Sequence, residues 1–482
     1  MIEMGDYAMN YPNSAHEYKD GKIYTDIRDN KKILVVTATD DDIFDGLAEN
    51  IDGKFCKICP LNHHNADALR KIFPFTAPVP VLRNKKTIGL GDRLGTATNG
   101  HIRLLKDYPD FKPVLAQQSM RELNLTGRTY ENVIDDVTFA VFCENYQGGF
   151  GADGDHLKTA EDIKYALNCG YTMITLDCSE HIDNSVISLS DNEVAEKYAS
   201  NPAIKLKEKY SGKTFDIDGG SFTFDEIAFK RIVLTYKKAI DFAVQTYDTL
   251  FANGKSSADF ELSIDETLTP TTPLQHFFVA NELCGANVNM ATVAPRFCGE
   301  FQKGIDYIGD VAQFEREFRM HAKIARHFGY KISIHSGSDK FAVFSIVGRE
   351  TDGIFHVKTA GTNWLEAVRV IAKEDPRLYR EIHKFALSVL DEAKKYYAIG
   401  ADITKIPDVD ALPDGELASL MDKDDSRQVL HITYGLILNE KNPDGSYKFK
   451  DRMYRLWLEK EDAYCELLYK HIGTHLDLLG KI

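Results

Sequence analysis

The chain has 482 residues, of which 43% are hydrophobic and 27% are charged, so it can bury a large core. Its 58 Lys and Arg against 73 Asp and Glu give a formal net charge of −15, which argues against a nucleic-acid surface because such surfaces need clustered positive charge. No apolar run approaches the ~20 residues of a membrane span, and the polar N-terminus lacks the pattern of a secretory signal. We therefore expect a cytoplasmic protein with no membrane or nucleic-acid partner.

The first 80 residues are irregular apart from a β-rich run, KKILVVTATDD, that begins at Lys31. We interpret residues 1–80 as an N-terminal extension that covers part of a larger domain. From Thr87 onward, short apolar runs alternate with amphipathic stretches. Two of those stretches, which begin at Ala160 and Val311, end in Gly as helices commonly do. This alternation predicts parallel strands joined by helical crossovers.

Eight short runs are candidate strands of one sheet. They are TIGLGD (87–92), KPVLAQQS (112–119), VTFAVFC (137–143), TMITLDCSE (172–180), FELSIDET (260–267), VNMATVAPRF (288–297), KISIHSGSD (331–339) and GIFHVKTAGT (353–362). Eight is the number that closes a (β/α)8 TIM barrel, so we predict a catalytic barrel over residues 81–370 with an insertion at about 181–220. A doubly wound open sheet is the alternative α/β architecture. Amphipathic runs over 371–482 predict a helical C-terminal region packed on the barrel.

The stretch GGFGADGDHLKT (148–159) combines a flexible backbone with Asp155, His156 and Lys158. We interpret it as a loop that follows the predicted strand 137–143. Such a loop on a rigid scaffold is a typical place for an active site. Ordinary glycine-rich turns are common, so the interpretation depends on polar residues recurring at the other strand ends.

Polar or ionisable side chains do stand at the end of every predicted strand. They include Asp92, Arg93, Gln117, Gln118, Ser119, Asp177, Ser179, Asp265, Glu266, Arg296, His335, Ser338, Lys340, His356 and Lys358. Because the C-terminal ends of the strands of a barrel open at one mouth, these side chains predict a polar site there.

Two histidines and an acid from different strands are suited to hold a catalytic divalent cation such as Zn, Mn, Ni or Co. We predict the ligands His156, Glu266 and His335, with Asp177 and Asp265 in reserve. Strand alternation is expected to let only one of Asp265 and Glu266 face the mouth. Taken singly, each histidine is more often a hydrogen-bonded core or surface residue than a metal ligand.

Cations at the mouth could bind a carboxylate or phosphate through charge-assisted hydrogen bonds, although a strand-end salt bridge is an equal alternative for each. No phosphate-binding GxxxxGK[ST] motif is present, and GLGDRLG (89–95) does not match the GxGxxG dinucleotide pattern. The predicted substrate-binding residues are Arg93, Gln118, Lys158, Asp177, Arg296, Ser338, Lys340 and Lys358.

Five motifs together resemble those of the bacterial tagaturonate epimerases. The motifs are GLGDRLGTATNGHI (89–102), GGFGADGDHLKT (148–159), TLDCSEHI (175–182), SIDET (263–267) and IHSGSDKF (334–341), with a weaker match in RQVLHITYG (427–435). The resemblance implies a metal-dependent TIM-barrel enzyme of hexuronate catabolism that interconverts tagaturonate and fructuronate. It also implies an acid–base pair at Asp155 and Glu266 and a metal on His156, His335 and one further ligand, and leaves open whether Glu266 is ligand, acid–base group or both.

The chemistry of such an epimerisation favours a retro-aldol route. The inverted carbon lies β to the ketone, so its hydrogen is not acidified by the carbonyl. One carboxylate would instead take the proton of the β-hydroxyl, the C–C bond would open, and a metal would stabilise the enediolate before the bond reforms on the other face.

The same residue types would also suit a metal-dependent aldolase or hydrolase acting on a sugar acid, or a sugar-binding protein without catalysis. The expected partner is a small ketohexuronate, and a homo-oligomer is compatible with the sequence.

Overall fold

A computed structural model of the chain describes residues 9–51, 53–200, 203–218 and 220–480. Residues 1–8 of the predicted extension and 201–202 and 219 of the predicted insertion lie outside the described residues, as do 52 and 481–482. No helix in the described ranges is both long enough and apolar enough to cross a membrane.

The N-terminal part is an antiparallel sheet of five strands in the order β1-β2-β3-β5-β4. The strands are β1 (His16–Tyr18), β2 (Gly21–Arg28), β3 (Lys31–Val36), β4 (Leu47–Ile51) and β5 (Lys54–Pro60), followed by helix α1 (His63–Ile72). The β-rich run that starts at Lys31 is therefore confirmed as β3. Tyr18, Leu34 and Leu69 of this unit pack with Phe139 and Phe142 in one buried cluster, which joins the sheet to the next part of the chain.

Eight parallel strands then form a closed barrel in the order β12-β13-β14-β15-β6-β7-β8-β9. Their bounds are β6 (Lys86–Leu90), β7 (Phe111–Ser119), β8 (Gly151–Leu157), β9 (Met173–Asp177), β12 (Asp259–Ile264), β13 (Thr292–Pro295), β14 (Lys331–Ile334) and β15 (Phe355–Thr359), while β10 (Lys213–Ile217) and β11 (Gly220–Phe224) form a separate hairpin. Pairing of β15 with β6 closes the sheet. The predicted TIM barrel is confirmed, and the open doubly wound sheet is excluded.

Helices surround the barrel and continue as the C-terminal region. Their bounds are α2 (Thr98–Leu105), α3 (Met120–Thr126), α4 (Tyr130–Cys143), α5 (Ala160–Asn168), α6 (Asp191–Ala199), α7 (Ile204–Tyr210), α8 (Glu226–Leu250), α9 (Pro273–Gly285), α10 (Val311–Phe328), α11 (Phe341–Glu350), α12 (Gly361–Glu374), α13 (Pro376–Ser388), α14 (Leu390–Ala393), α15 (Asp424–Asn439), α16 (Lys450–Glu459) and α17 (Glu461–Gly480). The predicted stop of α10 is confirmed, because Gly329 at its C-cap has the left-handed φ of 79°.

The prediction that VTFAVFC (137–143) forms the third strand was wrong, because these residues are the second half of helix α4. This helix is apolar on several faces because it is buried between the N-terminal sheet and the barrel, where Val137 and Val141 join the barrel core. A seven-residue apolar run cannot distinguish a buried strand from a buried helix by periodicity.

The actual third strand is β8, which lies inside the stretch that we predicted to be a loop. Its glycines serve close packing. A Cβ on Gly154 would lie 3.0 Å from Cβ of Ala166 on α5, so the helix can approach the strand only because no side chain stands there.

Asp339, in the segment between β14 and α11, ties the barrel to the C-terminal helices. One of its carboxylate oxygens lies 2.5 Å from Arg427 of α15 and the other lies 2.7 Å from His471 of α17. Its backbone N–H also donates to His475 at 3.0 Å. Burial by itself would raise the pKa of Asp339, but His471 and Arg427 outweigh burial and lower it.

We expect Asp339→Asn to lower the free energy of unfolding by about 3–5 kcal/mol, because it leaves buried cations without their counterion. Urea unfolding at pH 7 measures this loss. Asp410→Asn is the matched control, since Asp410 pairs with Lys384 where both side chains are 53% exposed, and exposed pairs contribute at most about 1 kcal/mol. Equal effects of the two substitutions would contradict the role given to Asp339.

Candidate active site

A cavity of about 510 Å³ opens at the C-terminal end of the barrel strands. Its walls come from the segments that follow several barrel strands and also from residues 396–400 and His431 of the C-terminal region. This is the face on which barrel enzymes carry their active sites, because the loops there are free to vary while the strands hold them in place.

A bulge in β8 turns two consecutive side chains, Asp155 and His156, into this cavity. The register between β8 and β9 shifts between Gly154 and Leu157, and His156 has a positive φ of 53°. In a regular strand, consecutive side chains point to opposite faces. The bulge and the unusual backbone conformation remove that restriction, and such local strain is typical of functional sites.

His156, Asp265 and His335 form a cluster whose potential ligand atoms all lie within 4.8 Å of one another. His335 Nε2 lies 2.7 Å from Glu261, and its Nδ1 lies 3.3 Å from Asp265. His156 Nδ1 lies 3.4 Å from Asp177. Each imidazole therefore has a carboxylate that can set its orientation and tautomer, as metal-binding histidines usually do.

The donor set of this cluster fits a divalent transition metal, which prefers imidazole nitrogen and carboxylate oxygen. The structure groups Asp265, rather than the predicted Glu266, with both histidines, and it groups Glu266 with His156 and Asp177. The expectation that only one of Asp265 and Glu266 could face the mouth was wrong. Both line the cavity because they follow the end of β12 at Ile264, where strand alternation no longer applies.

Lys358 of β15 is the centre of an ionic network below the cluster. Its Nζ lies 2.7 Å from Asp153, 2.8 Å from Asp155 and 2.7 Å from Glu261. Burial would lower the pKa of Lys358, but Asp153 and the other carboxylates raise it well above the usual value. The predicted substrate-binding Lys358 lines the cavity, yet its charge is already compensated by three acids.

The same network sets the charge of Asp155. Burial would raise its pKa, but Lys358 and His156 outweigh burial and lower the pKa to about 2. For Asp153, which lies deeper in the barrel, burial prevails and raises the pKa to about 7. Burial also opposes protonation of His335, but Asp265 raises the pKa of this imidazole to about 10.

Of the other predicted substrate-binding residues, three line the cavity. Arg93 pairs with Glu122 at 2.9 Å and stacks on Tyr434. Arg296 lines the cavity and donates to the backbone carbonyl of Thr267. Ser338 also contributes to the wall.

The remaining predicted residues lie behind the wall or at its edge. Gln118 does not line the cavity, whereas its neighbour Gln117 does, since the two alternate along β7. Lys158 lies 3.7 Å from Asp177 and 3.9 Å from Glu266. Asp177 is buried, and its carboxylate lies 3.4 Å from Nδ1 of His156.

Lys340 has a structural role that the sequence did not indicate. Its Nζ donates to the carbonyls of Gln302, Ile305 and Ser338 at 2.9, 2.5 and 2.9 Å. Lys340 is fully buried and does not line the cavity. Burial lowers its pKa to about 8.

Sequence reasoning missed several residues of the site, among them Glu261, Arg121, Lys303 and the C-terminal wall residues. A signal for Glu261 was present: Glu261, Ser263 and Asp265 recur with period two, while the residues between them are apolar. No local pattern marks Lys303 or the wall segment 396–400, because only the packing of distant parts of the chain brings them to the mouth.

Comparisons with known proteins agree with each other. A family model described as tagaturonate epimerase matches residues 11–479. A tagaturonate/fructuronate epimerase from Thermotoga maritima is 42% identical over 97% of this chain and 96% of its own length. Two crystal structures of a fructuronate-tagaturonate epimerase from Cohnella laeviribosi, one native and one with a single glycerol, are also similar to this chain. Each superposes with a TM-score of 0.94 at 50% sequence identity, and the match covers 98% of this chain and 96% of the other.

We expect Lys358→Met to lower the free energy of unfolding at pH 7 by about 3–5 kcal/mol, because it leaves buried carboxylates without a counterion. Without Lys358, the pKa values of these carboxylates rise in the folded state, so the folded variant binds more protons than its unfolded chain. The difference in free energy of unfolding between variant and wild type should therefore become smaller as the pH falls from 7 to 5. Urea unfolding at both pH values measures the effect.

Lys340→Met is the control for this pH dependence. Lys340 donates to carbonyl groups, and it is protonated in both folded and unfolded states between pH 5 and 7 because its pKa is about 8 in the folded state. Its substitution should therefore cost stability equally at both pH values. A loss for Lys358→Met that is the same at pH 5 and pH 7 would contradict the ionic role of Lys358.

Proposed function

The chain belongs to the tagaturonate epimerase family, and on that premise we propose that it interconverts D-tagaturonate and D-fructuronate by metal-dependent retro-aldol and aldol steps. Membership makes it a carbohydrate epimerase, an enzyme of the isomerase class. The main support for the proposed substrate and mechanism is that the cluster of His156, Asp265 and His335 lines the same cavity as Asp155. A metal site next to an ionised carboxylate suits the opening of a C–C bond beside a ketone.

We assign the metal to His156, Asp265 and His335, with Glu261 and Asp177 orienting the two imidazoles. The grouping of the ligand atoms supports Asp265 over Glu266 as the third ligand. When bound, a divalent cation such as Zn, Mn, Ni or Co supplies Lewis acidity towards the oxygens of the substrate. This assignment leaves Glu266 available as an acid–base group at the more exposed side of the cavity, where its side chain is 41% exposed.

Asp155 and Glu266 then exchange the proton of the reacting hydroxyl. Counted from the CH2OH end, the ketone is C2 and the inverted carbon is C4. Asp155, ionised at neutral pH, takes the proton of the C4 hydroxyl, the C3–C4 bond breaks, and its electron pair forms the C2–C3 enediolate while C4 becomes an aldehyde. The aldehyde turns its other face, C3 attacks it, and Glu266 passes a proton from water to the new alkoxide. Asp155 releases its own proton to water, so both carboxyl groups return to their starting state.

A metal-dependent aldolase would use the same residues but release the two three-carbon fragments, and a hydrolase would consume water. Product analysis therefore tests the proposal directly. The metal-loaded protein is incubated with D-tagaturonate in D2O, and the products are followed by NMR. We expect D-fructuronate that keeps protium at C4, because the C4–H bond is never broken in a retro-aldol route. Deuterium at C4 would contradict the mechanism, accumulating fragments would indicate an aldolase, and the absence of turnover would contradict the substrate.

The metal ligands can be ranked by substitution. We expect Asp265→Asn and His335→Ala to weaken metal binding more than Glu261→Gln, because loss of a carboxylate that only orients a ligand typically costs about 10–100-fold in affinity. Glu266→Gln should have the smallest effect. Metal affinity by isothermal titration and metal content after dialysis measure the series. A Glu266→Gln protein that loses its metal while Asp265→Asn keeps it would instead support the ligand set His156, Glu266 and His335.

We expect Asp155→Asn to keep the fold and bound metal but to lose a factor of about 10²–10⁴ in turnover, the usual contribution of a positioned acid or base. Asn matches Asp closely in shape, so packing is little changed. Turnover, melting temperature and metal content are measured on one preparation, with Asp241→Asn on the exposed face of α8 as control. Near-native turnover of Asp155→Asn would remove Asp155 from the acid–base pair.

A further inference from the structure

One cation on the cavity wall, Lys303, has no carboxylate close to its ammonium within the part of the chain that the structure describes. Lys303 lies in the segment between β13 and α10 and lines the cavity. The one hydrogen bond described for its ammonium is from Nζ to Ser336 Oγ at 2.9 Å. No carboxylate of the described residues lies within 4.0 Å of Nζ. Since an ammonium carries three donors, two remain available to a ligand.

The other cavity cations already have partners. Arg93 pairs with Glu122, Lys358 with three acids, and Arg296 donates to a backbone carbonyl. Arg121 lies 4.0 Å from Glu266 and faces the ring of Tyr397. Lys303 is therefore the cavity cation best placed to accept a new anion.

The electrostatic surroundings of Lys303 also favour an anion. Burial, and after it the positive charges of Arg121 and Arg93, lower the pKa of Lys303, and the more distant carboxylates Glu122 and Asp155 offset this only in part. An incoming carboxylate would relieve this repulsion and form a charge-assisted hydrogen bond. Such a positive wall is local, because the protein as a whole has a net charge of −15.

The backbone that carries Lys303 is held from both sides. Lys340 donates to the carbonyls of Gln302 and Ile305, and Arg427 donates to the carbonyl of Gly304 at 2.7 Å. Two buried cations thus fix the segment so that the ammonium of Lys303 is positioned before a ligand arrives. Such preorganisation lowers the entropy cost of binding.

We propose that Lys303, supported by Ser336 and with Arg121 nearby, binds the carboxylate of the substrate and retains the carboxylate-bearing fragment while its aldehyde turns. This inference rests on the proposed function. Cleavage of C3–C4 leaves dihydroxyacetone as its enediolate and a 2-hydroxy-3-oxo acid of three carbons.

Ser336 follows His335 directly, so an anchor at Lys303 is adjacent to the metal cluster. Holding the carboxylate leaves rotation about C4–C5 possible but prevents escape, which separates an epimerase from an aldolase.

The test compares the turnover of Lys303→Met and wild type on two substrates, D-tagaturonate and the neutral ketose D-tagatose. Melting temperature and metal content first establish that the variant is folded and contains its metal. We expect KM for the hexuronate to rise about tenfold to a hundredfold, as for loss of a charge-assisted bond, and three-carbon fragments to appear in solution. The rate with the neutral ketose should be unchanged. Lys303→Arg should restore part of the affinity, and Lys405→Met, on an exposed lysine away from the cavity, should behave as wild type.

If wild type converts D-tagaturonate, two results for Lys303→Met would overturn the carboxylate subsite without affecting the proposed function. One is an equal loss of catalytic efficiency on the charged and the neutral substrate, and the other is no loss on either. A wild-type protein without that activity would overturn the proposed function itself. If Lys303→Met does not fold, inhibition of wild type decides the question: glycerate should compete with the hexuronate at far lower concentration than glycerol, and equal inhibition by the two would overturn the proposal.

Discussion

The ammonium of Lys358 among Asp153, Asp155 and Glu261 is the interaction on which the site depends. It joins strands β8, β12 and β15 across the centre of the barrel, with each acid within 2.8 Å of Nζ. A buried ionic network of this kind gives little net stability compared with apolar packing, because the charges must leave water. Its value lies in what it fixes: it keeps Asp155 ionised, and through Glu261 it orients His335.

This network requires a barrel whose interior is polar. Along β12, Glu261 and Ser263 point inward, while Phe260, Leu262 and Ile264 belong to the apolar core that the surrounding helices cover. Thr292 donates to Oε2 of Glu261, while Oε1 contacts His335 and Lys358, so both oxygens of the buried carboxylate have partners. Strands with an apolar outer face and a polar inner face allow the protein to place charges deep in the barrel while its hydrophobic core lies between strands and helices.

The cations divide into those that build the site and those that remain available to a ligand. Lys340 and Arg427 use their donors on backbone carbonyls around Lys303, and Lys358 is enclosed by acids. All of these residues look alike in a sequence, since each is a basic residue near a strand end or in a helix. We expected Lys340 at the mouth for that reason. Its burial and its carbonyl partners depend on a segment that lies 35 to 38 residues away along the chain, so no local pattern could reveal them.

The barrel class, the order of seven of its eight strands, the family and the placement of Asp155, His156 and His335 at the mouth were all predictable from the amino-acid sequence. These follow from patterns that are local along the chain: alternation of strands and helices, helix stops and short motifs. The folded structure was needed to show that VTFAVFC is helical, because burial on several faces removes the periodicity that distinguishes a helix from a strand. It also showed that Asp265 lies with the two histidines and that no carboxylate among the described residues lies close to Lys303. Ligand distances and ion pairing depend on which distant side chains meet when the barrel closes and the C-terminal helices pack against it.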